Sequence, residues 1–220
     1  ATPCVIGKED NGDEGTAGRR GGAKARASVY GVGERSSGIP RAWAARADKE
    51  GVWLKPGTCE LSTHIAEYAA GVSIASIHWG DNWGYEIPER RRRAAHALID
   101  QGGVSVVHGH SSHHPKGVEY YHGGFILYGA GDFLNDYEGI PGHERYRPEL
   151  TLGYLVDIDP AAGRVETVEA LAFRIRGFRL ERASADETSW LAERMARVSP
   201  GRAVQCTSAG EGSIIVGPGR

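Results

Sequence analysis

No apolar run in this sequence is long enough to span a bilayer, and none resembles the apolar core of a secretory signal. We therefore expect no membrane segment in this chain, and the cytoplasm is its default location. The chain also lacks the excess of basic residues that binding to nucleic acid or to an anionic membrane requires, since its formal net charge at pH 7 is −2. Nucleic acid is therefore not an expected partner.

Cysteine is scarce as well. The three thiols, at Cys4, Cys59 and Cys206, are far apart and odd in number, so they provide neither a disulfide framework nor the spacing of zinc ligands. We expect them to be unpaired. Glycine, by contrast, accounts for 32 of the 220 residues, which predicts many loops and tight turns. The length allows one domain with a sizeable core or two small ones, and no repeat or linker divides it.

The N-terminal segment, residues 1–27, contains almost no apolar side chains. It cannot bury enough surface to offset the entropy of ordering, so we expect a disordered or atypical extension, followed by a domain over residues 28–220. Glycine and proline interrupt residues 30–54, which predicts mostly irregular backbone there.

The middle of the chain predicts a βαβ unit. Residues 72–77 and 104–107 are short apolar runs typical of buried strands, and a helix begins after Pro88 and ends at Gly102. Short links between these elements imply parallel pairing and a right-handed crossover. The other predicted elements are a helix over residues 58–69, a hairpin of 118–121 and 125–128, a strand pair of 152–158 and 165–175, a helix opened by a Ser184–Glu187 capping box, and a strand over 213–216.

Histidines follow both strands of this unit. His78 leaves the first strand, and the loop after the second contains His108, His110, His113 and His114. The carboxyl ends of parallel strands meet at one edge of a sheet, where α/β proteins bind their ligands. Imidazole is a good ligand for several transition metals. We therefore expect His78, His110 and His113 to approach a common point, with Gly109 allowing a sharp turn between them; a hydrogen-bonded loop is the alternative.

The remaining histidines are weaker candidates for metal binding. His64 and His96 fall on predicted helices without partners nearby in sequence, and His122 and His143 have the setting of turn residues.

Acidic and amide groups near the histidines could orient them. Glu86 closes the loop after His78, and Asp132, Asn135 and Asp136 follow the hairpin. A metal-bound histidine usually donates its second nitrogen to such a group. Turn formation and helix capping are equally good interpretations of these residues.

Four consecutive arginines, residues 90–93, open the second helix. They invite comparison with a phosphate site, but four successive helical residues point in all directions, so we expect a mostly solvated face. Trp79, Trp83 and Tyr85 are expected to pack around the mouth of the site, with stacking on a substrate as the alternative.

Several of these segments resemble the CapA-type proteins of capsule and poly-gamma-glutamate synthesis, a branch of the calcineurin-like metallophosphatases. The matching segments, within residues 36–191, are 76–80 (SIHWG), 97–100 (ALID), 107–113 (VHGHSSH), 117–119 (GVE) and 127–133 (LYGAGDF). The resemblance implies an α/β fold of the metallophosphatase type, an αββα sandwich with mixed sheets. It would be incomplete at the N-terminal end, so that residues 28–220 form the C-terminal part of the domain.

The resemblance also implies a site. It assigns His78, His110 and His113 as metal ligands and catalytic residues, with Glu86, Asp132 and Asp136 around them, and a divalent metal (manganese, iron or zinc) at a mononuclear or dinuclear centre. The implied chemistry is metal-dependent hydrolysis of a phosphoester or related bond, acting on a polyanionic polymer or a phosphoester. The family more commonly has a third His and a Pro at Ser111 and Ser112, and Asn at Asp132.

The family's N-terminal motifs, an Asp ligand, an acidic pair and an Asn-His motif, have no counterpart before His78. A two-metal centre needs those ligands. This favours one alternative, a non-catalytic accessory or binding relative. A metal-dependent amide hydrolase on the same scaffold is the other.

Overall fold

The computed structural model describes residues 26–54, 57–68, 71–135, 140–202, 204–210 and 212–219. The extension predicted for residues 1–27 lies outside them except for its last two residues. The helices are α1 (Thr58–Tyr68), α2 (Glu89–Gly102) and α3 (Ala185–Val198), with short 3-10 turns at Arg35–Ser37, Arg41–Trp43, Glu144–Tyr146 and Pro200–Arg202. The strands are β1 (Ala27–Gly33), β2 (Val72–His78), β3 (Val106–His110), β4 (Val118–Tyr121), β5 (Gly124–Leu127), β6 (Leu150–Asp159), β7 (Arg164–Arg176), β8 (Arg179–Arg182), β9 (Val204–Gly210) and β10 (Ser213–Pro218).

The first sheet has the strand order β1-β2-β3-β5-β4. Strands β1, β2, β3 and β5 are parallel, and β4 returns antiparallel to β5 as the predicted hairpin. The register places Gly33 beside His78, and His78 beside His110. The βαβ prediction is thereby confirmed, and the ends of three neighbouring strands meet at one edge.

Helices α1 and α2 cover one face of this sheet. Leu61 and Ile65 of α1 and Leu98 of α2 join Ile77 and Val107 of the sheet in one buried cluster. Helix α2 ends where Gly103 adopts a left-handed φ of 65° and donates its N–H to Ile99 O. Glycine suits this position because it has no Cβ to clash.

The second sheet is antiparallel, with the order β6-β7-β10-β9 and β8 paired with the far end of β7. Its inner face packs against the first sheet and α3 in a second buried cluster, which includes Phe125, Leu152, Ala170, Leu191 and Ile214. The described chain is therefore an α/β sandwich built on two sheets, as predicted.

Three strands escaped the sequence analysis. Strand β1 occupies the start of the segment predicted to be irregular, because pairing with β2 orders a stretch in which Gly31 and Gly33 hide any strand pattern. Strands β8 and β9 are short, polar strands with few buried side chains. Strand β3 also runs further than predicted, so His108 and His110 lie on the strand rather than in the loop after it.

Candidate functional site

The centre of the candidate site is a pair of imidazoles at the carboxyl ends of β2 and β3. Nδ1 of His78 lies 3.0 Å from Nδ1 of His110, so one nitrogen donates a proton to the other. Parallel pairing produces this contact directly, since the two residues are register partners. Sequence reasoning thus predicted that these two residues meet.

Gly109, between His108 and His110, serves close packing and not a turn. It lies in extended backbone within β3, and a Cβ there would lie 2.3 Å from Trp79 Nε1 and 2.7 Å from Leu127 O. The expected sharp turn is therefore wrong. The backbone instead approaches the buried Trp79, whose Nε1 donates to Tyr128 O at 3.1 Å.

His110 carries no charge at neutral pH. Its pKa is lowered to about 4, chiefly by burial, with the neighbouring His108 and His78 acting in the same direction. Burial also lowers the pKa of His108, whose Nδ1 lies 3.2 Å from Ser76 Oγ. A neutral imidazole is the form that can donate a lone pair to a metal.

Two nitrogens bound to one tetrahedral zinc, each about 2 Å from the metal, lie roughly 3.3 Å apart. The spacing of 3.0 Å between His78 and His110 suits that arrangement. Among the described residues, however, no group of three or more His, Cys, Asp or Glu side chains is placed to hold a metal ion. The structure therefore brings two imidazole nitrogens together, and their role as metal ligands, alone or with His113, stays a prediction.

His113 lies in a different pairing. Its Nδ1 is 2.8 Å from Asp132 Oδ2, and Asn135 Nδ2 donates to the same carboxylate oxygen at 3.1 Å. Its backbone N–H donates to Asn82 O at 3.0 Å, which ties the loop after β3 to the loop after β2. Asp132 therefore contacts a candidate ligand, as a residue that orients a histidine would.

The other two acidic candidates, Glu86 and Asp136, are not shown to contact the histidines. Glu86 is exposed and forms no hydrogen bond or ion pair with the part of the chain that the structure describes. Asp136 lies outside the described residues.

The loop after β1 reaches the same edge, which sequence reasoning missed. The backbone N–H of Glu34 donates to His78 O at 2.7 Å, and Ser37 Oγ donates to the same oxygen at 3.0 Å. Gly80 N–H donates to Ser36 Oγ at 3.2 Å. The signal that could have found Glu34 is its place directly after a parallel strand, but that strand was not recognised.

A comparison with known protein families identifies the family of this chain. The model of the bacterial capsule synthesis protein family PGA_cap matches residues 11–137, more than half of the chain. This chain belongs to the PGA_cap family. The match contains His78, His110, His113 and Asp132, and it begins within the segment in which we found no family motif.

Similar proteins agree with this assignment. A probable polyglutamine synthesis accessory protein of Mycobacterium tuberculosis is 44% identical over 186 residues, which is 81% of this chain and 49% of that protein. The PGA biosynthesis protein CapA of Bacillus subtilis is 31% identical over 71 residues, 32% of this chain and 18% of CapA. The chain therefore spans about half the length of the mycobacterial relative, and its match to CapA covers a smaller share of that protein.

Two cations of this PGA_cap chain are buried near the loop after His78. Arg91, in the predicted solvated arginine face, is only 6% exposed, and Lys116 is 4% exposed. The guanidinium of Arg91 lies over the Trp79 ring at 5.6 Å and against Gly80, and Lys116 Nζ donates to Asp81 O at 3.4 Å. The expectation of a mostly solvated face is therefore wrong for Arg91, which faces the sheet while Arg90 and Arg93 face solvent.

Aromatic rings form a wall beside His113. Trp83 stacks on His143 at 3.8 Å between centroids and lies 5.4 Å from His113. Tyr85 and Tyr146 extend the wall and enclose His114, whose pKa burial lowers to about 4. Trp83 and Tyr85 thus pack as expected, whereas His143 is a stacking residue as well as part of a turn.

The helical histidines also have partners in space. His96 Nε2 lies 3.1 Å from Glu119 Oε1, and its ring stacks on Tyr121 at 3.6 Å. His64 packs edge-on against Trp53 at 4.8 Å. Neither belongs to the His78–His110 pair, but the view that they lack partners holds only along the sequence. His122 sits in the β4–β5 turn, with Nδ1 2.8 Å from Asp100 Oδ1.

No helix in the described parts of the chain is long and apolar enough to cross a membrane. Cys59 and Cys206 are both free thiols, as predicted, and Cys4 lies outside the described residues. Burial raises the pKa of Cys206 to about 11, so that thiol is a poor nucleophile at neutral pH.

Proposed function

We propose that this chain acts in the synthesis of a bacterial capsule or poly-glutamate polymer, and that the His78–His110 edge is its working site. The observation that carries the proposal is the 3.0 Å contact of these imidazoles within the region matched by the PGA_cap family. The printed names of the relatives, which refer to polyglutamine synthesis and PGA biosynthesis, support the polymer class.

The chemistry we propose for the edge is metal-dependent hydrolysis of a phosphoester or related bond. A divalent cation such as manganese, iron or zinc would supply Lewis acidity toward a phosphoryl or carbonyl oxygen. The chain would contribute His78 and His110 as ligands, with His110 kept neutral by burial. His113, which contacts Asp132, would orient a ligand or exchange a proton with it.

A second candidate is an accessory protein that binds its polymer without cleaving it. One observation favours it: the described residues contain no group of three acidic, thiol or imidazole ligands, and a stable catalytic zinc site usually has three. The name of the mycobacterial relative also contains the word accessory.

Cation binding is the first test. We expect manganese or zinc to raise the melting temperature of metal-free protein at neutral pH, because a ligand that binds only the folded state adds about 2.7 kcal/mol at a hundredfold excess over Kd. His78→Ala and His110→Ala should each remove most of that rise. His122→Ala, on the exposed β4–β5 turn, is the matched control and should retain it. Equal rises in all four proteins would refute the site.

Turnover separates the two candidates. The metal-loaded protein would be assayed with an aryl phosphate and with a γ-glutamyl anilide, the second of which reports amide hydrolysis. Hydrolysis that His110→Ala abolishes supports the enzyme. Cation binding with neither substrate cleaved, together with retention of poly-γ-glutamate on the protein, supports the accessory role.

A further inference from the structure

Arg91 is an arginine that folding has largely buried without pairing it with a carboxylate among the described residues. It is 6% exposed, and none of the ion pairs or side-chain hydrogen bonds among the described residues involves its guanidinium. Its neighbours are the Trp79 ring and the backbone of Gly80. Glu34 and Asp81 are close enough to act on its charge, but neither forms an ion pair with it.

Lys116 is a second buried cation near Arg91. It is 4% exposed, and its ammonium donates to one backbone carbonyl, that of Asp81, at a long 3.4 Å. Burial lowers the pKa of Lys116, and the positive charge of Arg91 lowers it further. The two cations therefore both contact residues 79–81: Arg91 of α2 lies against Trp79 and Gly80, and Lys116 of the loop after β3 lies against Asp81.

Such a pair is unfavourable in isolation. Buried charges in proteins are normally paired, because removing an ion from water costs more than packing returns. Two like charges close together add repulsion. An arginine cannot lose its proton to escape this cost. A chain that keeps both cations here gains when an anion lies between them.

The guanidinium is also reachable. Some polar side-chain atoms in the described chain are fully enclosed and have no hydrogen-bond partner. Arg92 Nε is one of them, but no nitrogen of Arg91 is. The nitrogens of Arg91 therefore keep some contact with solvent. That small opening suits one oxyanion better than an extended surface.

We infer that Arg91 and Lys116 form an anion-binding subsite against residues 79–81, next to the His78–His110 edge, for one phosphate or carboxylate group of a ligand. Arginine suits this task because its planar fork donates two parallel hydrogen bonds to an oxyanion, and Lys116 adds a point charge. Gly80 lies two residues after His78, so an anion held there would place the rest of the ligand at the histidine edge.

The test is calorimetric titration of the metal-free full chain with inorganic phosphate in one arm and a γ-linked glutamate oligomer in the other. Metal-free protein removes any contribution from a cation at the histidines. We expect at least one probe to bind, and Arg91→Met and Lys116→Met each to weaken that binding about tenfold or more, the usual loss for a hydrogen bond to a charged group. Arg93→Met removes the same charge from an exposed position of the same helix and should bind like the wild type.

The two probes identify the source of the oxyanion. Binding of phosphate alone assigns the subsite to a phosphoryl group, and binding of the oligomer alone assigns it to a carboxylate. The oligomer arm rests on the proposed function, whereas the phosphate arm does not, so loss of the proposed function leaves the phosphate result standing.

Three results would overturn the inference. One is the absence of binding for both probes. Another is equal weakening by Arg93→Met, which would mean general electrostatic attraction. The third is a purely structural Arg91, in which Arg91→Met lowers the melting temperature in anion-free buffer while both arginine and lysine variants bind the probes as the wild type does. Lys116→Met provides the answer if Arg91→Met does not fold.

Discussion

The same side chain behaves differently at different positions of this fold, and burial decides how. His110 is half-buried between two other imidazoles and is neutral at neutral pH, with a pKa of about 4. His122, exposed on a turn, faces a carboxylate of Asp100 and helps lower the pKa of that acid. The first environment keeps a histidine in the neutral form that binds a metal across the physiological pH range.

Glu119 of β4 is a buried carboxylate that contacts two side chains of α2 and that of Tyr128, the residue after β5. Tyr128 Oη donates to it at 2.7 Å, and His96 and Arg92 lie 3.1 and 3.5 Å from its other oxygen. Burial raises the pKa of Tyr128, and Glu119 raises it further, so the phenol stays a donor. This network joins α2 to β4 and β5 behind the histidine edge.

Removal of one donor from this network should destabilise the protein. We expect Tyr128→Phe to lower the free energy of unfolding in urea by about 2 kcal/mol, since it leaves a buried carboxylate oxygen with one partner fewer. Tyr121→Phe is the matched control. Its hydroxyl bonds the exposed carboxylate of Asp100, and its loss should cost under about 1 kcal/mol. Equal losses for both variants would contradict the assignment of a buried network.

At this scale the sequence predicts contacts that topology enforces and misses those that packing creates. His78 and His110 could be paired because parallel strands bring their carboxyl ends together. Arg91 lies on the buried face of α2 with Ala95 and Leu98, at i+4 and i+7, but its charge led to the expectation that it would be solvated like Arg90 and Arg93. Glu119 and His96 meet 23 residues apart, and nothing local links them.

At the scale of elements, local chemistry decides which boundaries are predictable. Helix α3 begins where predicted because Ser184 Oγ accepts from Glu187 N–H and the Glu187 side chain accepts from Ser184 N–H, a capping box visible in the sequence. Strand β1 has no such signal. It forms because β2 offers a full row of partners, and that partner strand lies some forty residues further along the chain.

Glu187 should make the stability of α3 depend on pH. Arg174 is the main cause that lowers its pKa, with the backbone of Ser184 and the charge of Arg147 in the same direction. A depressed carboxyl pKa stabilises the fold above the unfolded value, about 4.3, and the contribution disappears as pH falls through the folded value. Glu187→Gln should therefore cost about 2 kcal/mol at pH 7 and progressively less below pH 4.

The measurement is urea unfolding of both proteins between pH 7 and pH 3. Glu193→Gln, on the exposed side of the same helix, is the control and should follow the wild type throughout. A gap between Glu187→Gln and the wild type that stays constant to pH 3 would show that the charge of Glu187 is not what stabilises α3.

At the scale of the whole molecule, the first sheet is shared by two cores. Adjacent residues of β5 face opposite ways: Phe125 enters the core between the sheets, and Ile126 enters the core under α1 and α2. The alternation of side chains along a strand makes this division unavoidable. Loss of the first sheet from either core would therefore expose the other core as well.

We expect the chain to unfold as one cooperative unit for this reason. Phe125→Ala and Ile126→Ala should each destabilise it by about 3 to 4 kcal/mol, because both side chains are fully buried and each leaves a cavity. Ile215→Ala, on the outer face of the second sheet where the side chain is 49% exposed, should cost under about 1 kcal/mol.

Circular dichroism and tryptophan fluorescence should report coincident urea transitions in all three variants, since Trp53 packs on one core and Trp190 on the other. Two separated transitions in Phe125→Ala or Ile126→Ala would mean that the sheets are independent units, and the histidine edge would then depend on the first sheet alone.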